Sequence, residues 1–190
     1  MAAGVFGVLT LFTLYFFRNP KRQRRDGEGL VLSPADGRIV EIVQEEPSDL
    51  FLQPSIRISI FLSVFNVHIQ RAPITGRVGL KVYKPGRYLA AWNPKASQDN
   101  EQATLGIDGG PNSQIIVKQI AGLIARRIVT DPEKGDLVPQ GSRIGLIRFG
   151  SRVDLFIPRD WEVTCGIGDR VKGGLSAMAR VPEVGREKPR

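Results

Sequence analysis

The 190-residue chain has one cysteine, Cys165, and one histidine, His68. A single thiol excludes an intrachain disulfide and a thiolate metal cluster, and the ordinary role for Cys165 is a small buried hydrophobe. A single imidazole leaves one candidate for chemistry that needs a group titrating near neutrality. Acidic residues are also scarce: 19 Asp and Glu stand against 27 Lys and Arg, for a net charge of +8. That excess favours an anionic partner, nucleic acid or a membrane surface, and composition alone does not choose between them. A hydrophobic content of 42% excludes a wholly disordered chain and fits one domain with a real core plus an appendage.

The first segment decides the charge question. Ala2 to Phe17, AAGVFGVLTLFTLYFF, has no ionisable group except the Tyr15 phenol, and Arg18, Lys21, Arg22, Arg24 and Arg25 follow at once. A secretory signal peptide has the opposite order, with its cations first. The segment is therefore expected to form an N-terminal hydrophobic membrane helix, with residues 1–29 as anchor and basic linker. The cations suit anionic lipid and keep the remaining chain on the cytoplasmic face of the cell membrane. Sixteen apolar residues fall short of the roughly 20 that span hydrocarbon, so a thin span, a re-entrant helix and a missing upstream segment all stay open. Nucleic acid is not expected as a partner, because RNA-recognition and Cys/His motifs are absent and the charge is not interleaved with aromatics.

From Leu30 onward the pattern turns to strands: Arg57 to Leu62, Arg77 to Tyr83, Ser113 to Ile120, Arg143 to Phe149 and Arg152 to Ile157 are short, β-branched or aromatic, and partly alternating. Residues 30–190 are predicted to be a mainly β, compact barrel- or sandwich-like domain. One short internal helix is expected over Ala121 to Val129, where apolar positions recur at three and four, although Gly122 weakens it. Two weak repeats add detail. PADGRIV at Pro34 recurs as PITGRVG at Pro73, and Gly-Asp-x-Val-x-x-Gly occurs at Gly135 and again at Gly168. Both read as tight turns feeding strands. The second is similar to turns of biotinyl and lipoyl carrier domains, but neither Met1 nor Met178 has the lysine neighbour that a carrier needs.

The tripeptide Gly-Ser-Arg also occurs twice, at Gly141 and at Gly150. The first copy lies inside the repeated turn, where Gly and Ser have conventional work. The second sits between strand-like runs, where a glycine is costly and marks a bulge or a close approach of backbone. There the Ser151 hydroxyl can reach the carbonyl carbon of residue 150 through a five-membered ring, converting amide to ester, and glycine offers least hindrance.

FFRNPKR at Phe16, SPADGRI at Ser33, VFNVHIQRAP at Val64, DNEQ at Asp99, QIAGLIARRIV at Gln119 and FGSRVDLFIP at Phe149, taken in this order, resemble the short prokaryotic phosphatidylserine decarboxylase proenzymes over nearly the whole chain. The resemblance implies self-cleavage between Gly150 and Ser151 into chains 1–150 and 151–190. It also implies a pyruvoyl group made from Ser151 that forms a Schiff base with the substrate amine, with no metal. Phosphatidylserine in an anionic membrane would be decarboxylated to phosphatidylethanolamine. The carried-over catalytic residues are Ser151, His68 as the base and Asp36 as its partner. Arg71 occupies a position where some relatives have a second histidine, and with Asn100 and Glu101 it is a candidate substrate contact. Gln102 stands where the family pattern has arginine. The two cleaved chains are expected to stay associated, with a homodimer left open. A noncatalytic membrane adaptor, a carrier-like domain and an ether-lipid substrate stay open as alternatives. Since the candidate residues begin at Asp36, anchor and chemistry are expected to be separable.

Overall fold

The computed structural model describes residues 2–22, 29–49, 51–88, 99–110, 113–122, 127–148 and 151–182. Helix α1 (Ala2–Phe16) is followed by β1 (Leu30–Leu32), β2 (Gly37–Glu45), β3 (Ser55–Leu62), β4 (Ile69–Arg71), β5 (Gly76–Lys84), β6 (Gln102–Asp108) and β7 (Gln114–Ala121). After them come β8 (Ile128–Thr130), β9 (Leu137–Val138), β10 (Arg143–Ile147), β11 (Ser151–Pro158), β12 (Glu162–Val163), β13 (Arg170–Val171) and β14 (Ala177–Arg180). An eight-stranded sheet has the order β13-β2-β3-β11-β7-β6-β5-β9, and two three-stranded sheets have the orders β1-β14-β12 and β4-β10-β8. The mainly β expectation holds.

The two sequence repeats become one structural repeat. Gly37 pairs with Val171 at one edge of the large sheet and Gly76 pairs with Val138 at the other. The bonds around each pair match: Ile39 N donates to Asp169 O and Val78 N to Asp136 O, both at 2.9 Å. Gly135, Gly141, Gly168 and Gly174 all have positive φ, between 72° and 100°, which explains why glycine recurs at both ends of the Gly-Asp-x-Val-x-x-Gly motif. The register shifts in β2 after Ile39 and in β5 after Val78 correspond as well. The sheet order thus reads alike from either edge, and β11 and β7 form its centre.

Alternation in the strands builds the core. Ile58, Ile60 and Leu62 of β3, Leu105 and Ile107 of β6, Val117 of β7, and Val153, Leu155 and Ile157 of β11 are all inaccessible to solvent and belong to one apolar cluster. Each such side chain contributes about 1.5–3 kcal/mol by leaving water. The opposite face of β11 is buried too, and it is polar. Arg152 donates to Asp154 at 2.7 Å, to Glu41 at 2.7 Å and to Ser59 at 2.6 Å, and Arg57 bonds Glu41 and Glu45 beside them.

Two expectations change. The helix over 121–129 does not form at either end: Ala121 closes β7 opposite Ser151, and Ile128 and Val129 pair with Ile147 and Leu146 of β10. Residues 123–126 lie outside the described residues. Strand pairing overrides the weak helical spacing, helped by the β-branched residues at 128–130. Helix α1 does form, over 15 residues, which is about 22 Å at 1.5 Å per residue, against the roughly 30 Å of a hydrocarbon core. Among the described residues no helix is long and apolar enough to cross a membrane. Thr10 and Thr13 bond back to the carbonyls four residues earlier, and most of the helix's large apolar side chains are exposed, Phe6 at 69% among them.

Candidate active site

One end of the large sheet gathers the sequence candidates. Ser151 opens β11, pairing with Leu62 on one side and Ala121 on the other. Asn100 donates from Nδ2 to the Ala121 carbonyl at 2.7 Å, and the Ala121 amide donates to Glu101 O at 2.9 Å. Gly37, the residue after Asp36, lies so close to β3 that a Cβ there would come within 2.2 Å of Phe61 O. Ser151 is fully buried, and its Oγ has no hydrogen-bond partner among the described residues. Burying an unsatisfied hydroxyl costs about 1–3 kcal/mol, so an orphan in the middle of a sheet calls for a role other than stability. Gly150 lies outside the described residues.

His68 is also buried, at 1% exposure. Its Nδ1 lies 3.0 Å from Asn66 O, and because a carbonyl only accepts, Nδ1 carries the proton and Nε2 is the basic nitrogen. The Phe16 ring packs on the imidazole with centroids 4.3 Å apart. Burial above all drives the His68 pKa down to about 4, the hydrogen bond to Asn66 opposing, the nearby Arg18 adding to the fall and Asp36 opposing it again. The ring is neutral at pH 7. The amide of Ile147, four residues before Ser151, donates to His68 O at 3.2 Å, and this contact ties the histidine to the approach of β11.

Asp36 is held elsewhere. Its carboxylate accepts from both terminal nitrogens of Arg22, at 2.6 and 2.8 Å, and from the Gly173 amide at 2.8 Å. The Gly173 bond belongs to the structural repeat, for Gln140 N donates to Thr75 Oγ1 at the matching place. Asp36 therefore influences His68 through space, while the Asn66 carbonyl fixes the ring. Arg71 donates to Gly141 O, Asn19 Oδ1 and Pro20 O, at 3.0, 2.7 and 3.1 Å. Its pKa is lowered, chiefly by burial and then by Arg22.

Sequence reasoning passed over several of these groups. The cations after the apolar segment look free for lipid, yet Arg22 is spent on Asp36, and Arg18 donates to Phe65 O at 2.8 Å and lies over the Tyr15 ring. Phe16 packs on His68 and Arg22 pairs with Asp36, so the N-terminal segment as far as residue 22 touches two of the candidate residues. Gln70, Gln119 and Thr130 form a buried chain reaching His68 O, with bonds of 2.9, 2.9 and 2.7 Å; a strand glutamine gives no warning of that. Glu101 accepts from Tyr83 at 3.1 Å through Oε1, and its Oε2 is buried with no partner among the described residues. Gln102 donates to Asn100 O at 3.3 Å. Burial and the nearby Asp169 raise the Cys165 thiol to about 11, which makes it a poor nucleophile. No group of three or more His, Cys, Asp or Glu among the described residues could hold a metal ion.

An orphaned serine at the head of a central strand, with a neutral imidazole and a braced carboxylate near the same sheet end, is the equipment of an enzyme rather than of an adaptor. Comparison with known proteins agrees. The model of the phosphatidylserine decarboxylase family matches residues 9–179. The phosphatidylserine decarboxylase proenzyme of Azorhizobium caulinodans is 49% identical over 174 residues, covering 90% of this chain and 74% of that protein. Those of Symbiobacterium thermophilum and Syntrophus aciditrophicus are 45% and 44% identical, covering 94% and 89% of this chain and 83% and 79% of theirs. The chain belongs to the phosphatidylserine decarboxylase family.

Proposed function

We propose that the chain decarboxylates phosphatidylserine through a pyruvoyl group that it makes from its own Ser151, after cutting itself between Gly150 and Ser151. The observation that carries this reading is the place of Ser151, fully buried and unpartnered at Oγ among the described residues, at the head of a strand paired on both sides. Ser142, also unpartnered at Oγ, lies in a turn. Membership of a family whose relatives are named proenzymes supports the reading. A serine hydroxyl becomes a nucleophile by giving its proton to a base within hydrogen-bond reach, and Ser151 Oγ is committed to no other partner among the described residues.

In self-cleavage, Ser151 Oγ adds to the carbonyl carbon of residue 150 as its proton passes to a base, and the C–N bond breaks to leave an ester. Loss of the Ser151 α-proton then expels the residue-150 carboxylate and leaves dehydroalanine, which takes up water and releases ammonia to become the α-keto group. Neutral His68 offers Nε2 as the base, with Nδ1–H anchored on Asn66. Asp36, braced by Arg22 and Gly173, favours the cation that forms when the ring takes a proton. Once formed, the pyruvoyl group supplies the electron sink for the pair left behind by carbon dioxide. Asn100 holds the β7 partner of Ser151 and Glu101 keeps a buried carboxylate oxygen at the same end, so these residues and Arg71 would border the headgroup.

Attachment to an anionic membrane follows from the exposed apolar side chains of α1 and from exposed Phe65, whose carbonyl accepts from Arg18. Val5, Phe6, Val8, Leu9, Leu11 and Leu14, exposed on the 15-residue helix, would bind a membrane surface without spanning it. Intact mass of the purified protein is the decisive measurement: a 151–190 chain with pyruvoyl at its start is expected, and full-length protein that still releases carbon dioxide from phosphatidylserine would overturn the reading. Removing residues 1–14 should abolish flotation with anionic vesicles and spare cleavage. Removing 1–25 should slow cleavage as well, because Phe16 and Arg22 go with it.

A further inference from the structure

The structural repeat contains its own control. Its two copies have the same backbone bonds and the same glycines, and Arg38 and Arg77 occupy equivalent places: each donates to the carbonyl of the glycine that opens the facing turn, Gly168 or Gly135. Across the strand register the copies diverge. Arg77 faces Leu137, whereas Arg38 faces Arg170. Two residues on, the copy with Leu137 has Pro139 and the copy with Arg170 has Lys172. The fold therefore does not need cations at 170 and 172, and like charges directly opposite one another destabilise a strand pair. Among the described residues none of Arg38, Arg170 and Lys172 makes a salt bridge.

These three cations line a cleft of about 560 Å³ whose wall also includes Asp36, Ser63 and Asn66. The only carboxylate in that lining is Asp36, which Arg22 already neutralises. The lining thus joins Asn66, whose carbonyl fixes His68, to three positive charges that have no salt-bridge partner among the described residues. Arg38 pairs with Phe61, and Ser151 pairs with the next residue, Leu62. Two strand spacings then separate the Arg38 and Ser151 backbones, about 10 Å. Arg38 shares its rung with Phe61 and Ser151 the next rung with Leu62, so the two side chains leave opposite faces of the sheet. A serine phosphodiester, whose phosphorus is three bonds from the α-carbon at which carbon dioxide is lost, would reach Arg38 around the sheet end, past Ser63 and Asn66 of the cleft.

We infer that Arg38, Arg170 and Lys172 form the site for a phosphodiester anion, the headgroup phosphate of the lipid substrate. The assignment rests on the decarboxylase reading above. Arg170→Leu, which installs the residue of the other copy, is the test variant, and Lys172→Gln is the second. With a short-chain phosphatidylserine below its micellar concentration, KM should rise about ten- to hundredfold in Arg170→Leu, with a smaller change in kcat, as expected for loss of a charge-assisted contact. Inorganic phosphate should inhibit the wild-type enzyme competitively and the variant much less. Intact mass checks that the 151–190 chain still forms. If KM and phosphate inhibition are unchanged in both variants, the site is refuted. If only binding to phosphatidylglycerol vesicles weakens, the cations serve the membrane surface and the headgroup assignment is wrong. Phosphorus NMR line-broadening of inorganic phosphate by the full chain, lost in Arg170→Leu, reads the anion site without any turnover. It would stand even if neither cleavage nor decarboxylation were observed.

Discussion

The tripeptide Gly-Ser-Arg is used in two opposite ways. At Gly141 it turns the chain: Gly141 has a φ of 77° and open space where a Cβ would be, Ser142 N donates to Pro139 O at 3.0 Å, and Arg143 forms a half-exposed pair with Asp131. In the second copy, nine residues later, Ser151 is the first rung of the central strand, and Arg152 is 2% exposed within a polar layer. Both serine hydroxyls are shielded and unpartnered among the described residues, so what separates the copies is the backbone: a turn with positive φ at Gly141 and a strand paired on both sides at Ser151. Local sequence specifies a chemical capability, and the backbone around it sets the geometry in which it sits.

The largest expected difference between the copies is in self-cleavage. Ser151→Ala should remain a single inactive chain by intact mass, while Ser142→Ala should process normally. A 49-residue fragment, from cleavage before Ser142, would reverse the assignment. His68→Ala should follow, with cleavage slowed by about a hundred- to ten-thousandfold, the usual worth of a positioned general base.

The pH dependence sharpens the same point. Because burial holds the His68 pKa near 4 rather than its ordinary 6.5, the base is neutral at neutral pH. The cleavage rate should stay flat from about pH 8 to 5 and decline only as pH nears 4. An inflection near 6.5 in a quenched time course would show that the imidazole is solvated during the reaction. The stability effect has a matching sign: the unfolded chain takes up this proton below about 6.5 and the folded chain does so only near 4, so His68 destabilises the fold as pH falls through that interval.

The arginines should differ in what they contribute to stability. On a Ser151→Ala background, Arg152→Met removes the 2.7 Å partner of the fully buried Asp154, leaving Arg57 at 3.8 Å and Lys118 nearby, and should cost about 3 kcal/mol in urea unfolding. Arg143→Met removes a pair whose partners are 40% and 38% exposed, and should cost about 0–1 kcal/mol. Gly141→Ala should cost about 1 kcal/mol, since only the positive φ opposes the new methyl group, which leaves Arg143→Met as the smallest effect.

Much of this was legible beforehand where a residue's role depends on its immediate neighbours. Alternating β-branched runs mark β3, β5, β7, β10 and β11, and the glycines of the repeated motif declare turns with positive φ. What was hidden depends on partners far along the chain. Arg22 reads as a lipid-facing cation until Asp36 is beside it, and Phe16 reads as anchor until its ring meets His68. Gln70 and Gln119 lie 49 positions apart, and nothing local marks either as buried. The spacing within 121–129 misleads for the same reason, because β10 and β11 claim its two ends as strands.

The pairing of β11 has a mechanical consequence. Eight registered residue pairs bind it to β3 and six bind it to β7, while β13 stitches onto β2 and β14 onto β1. A backbone cut just before Ser151 would therefore sever connectivity without severing cohesion. The short fragment would be riveted at four places to the long one, leaving at the cut a new chain end that has nowhere to travel.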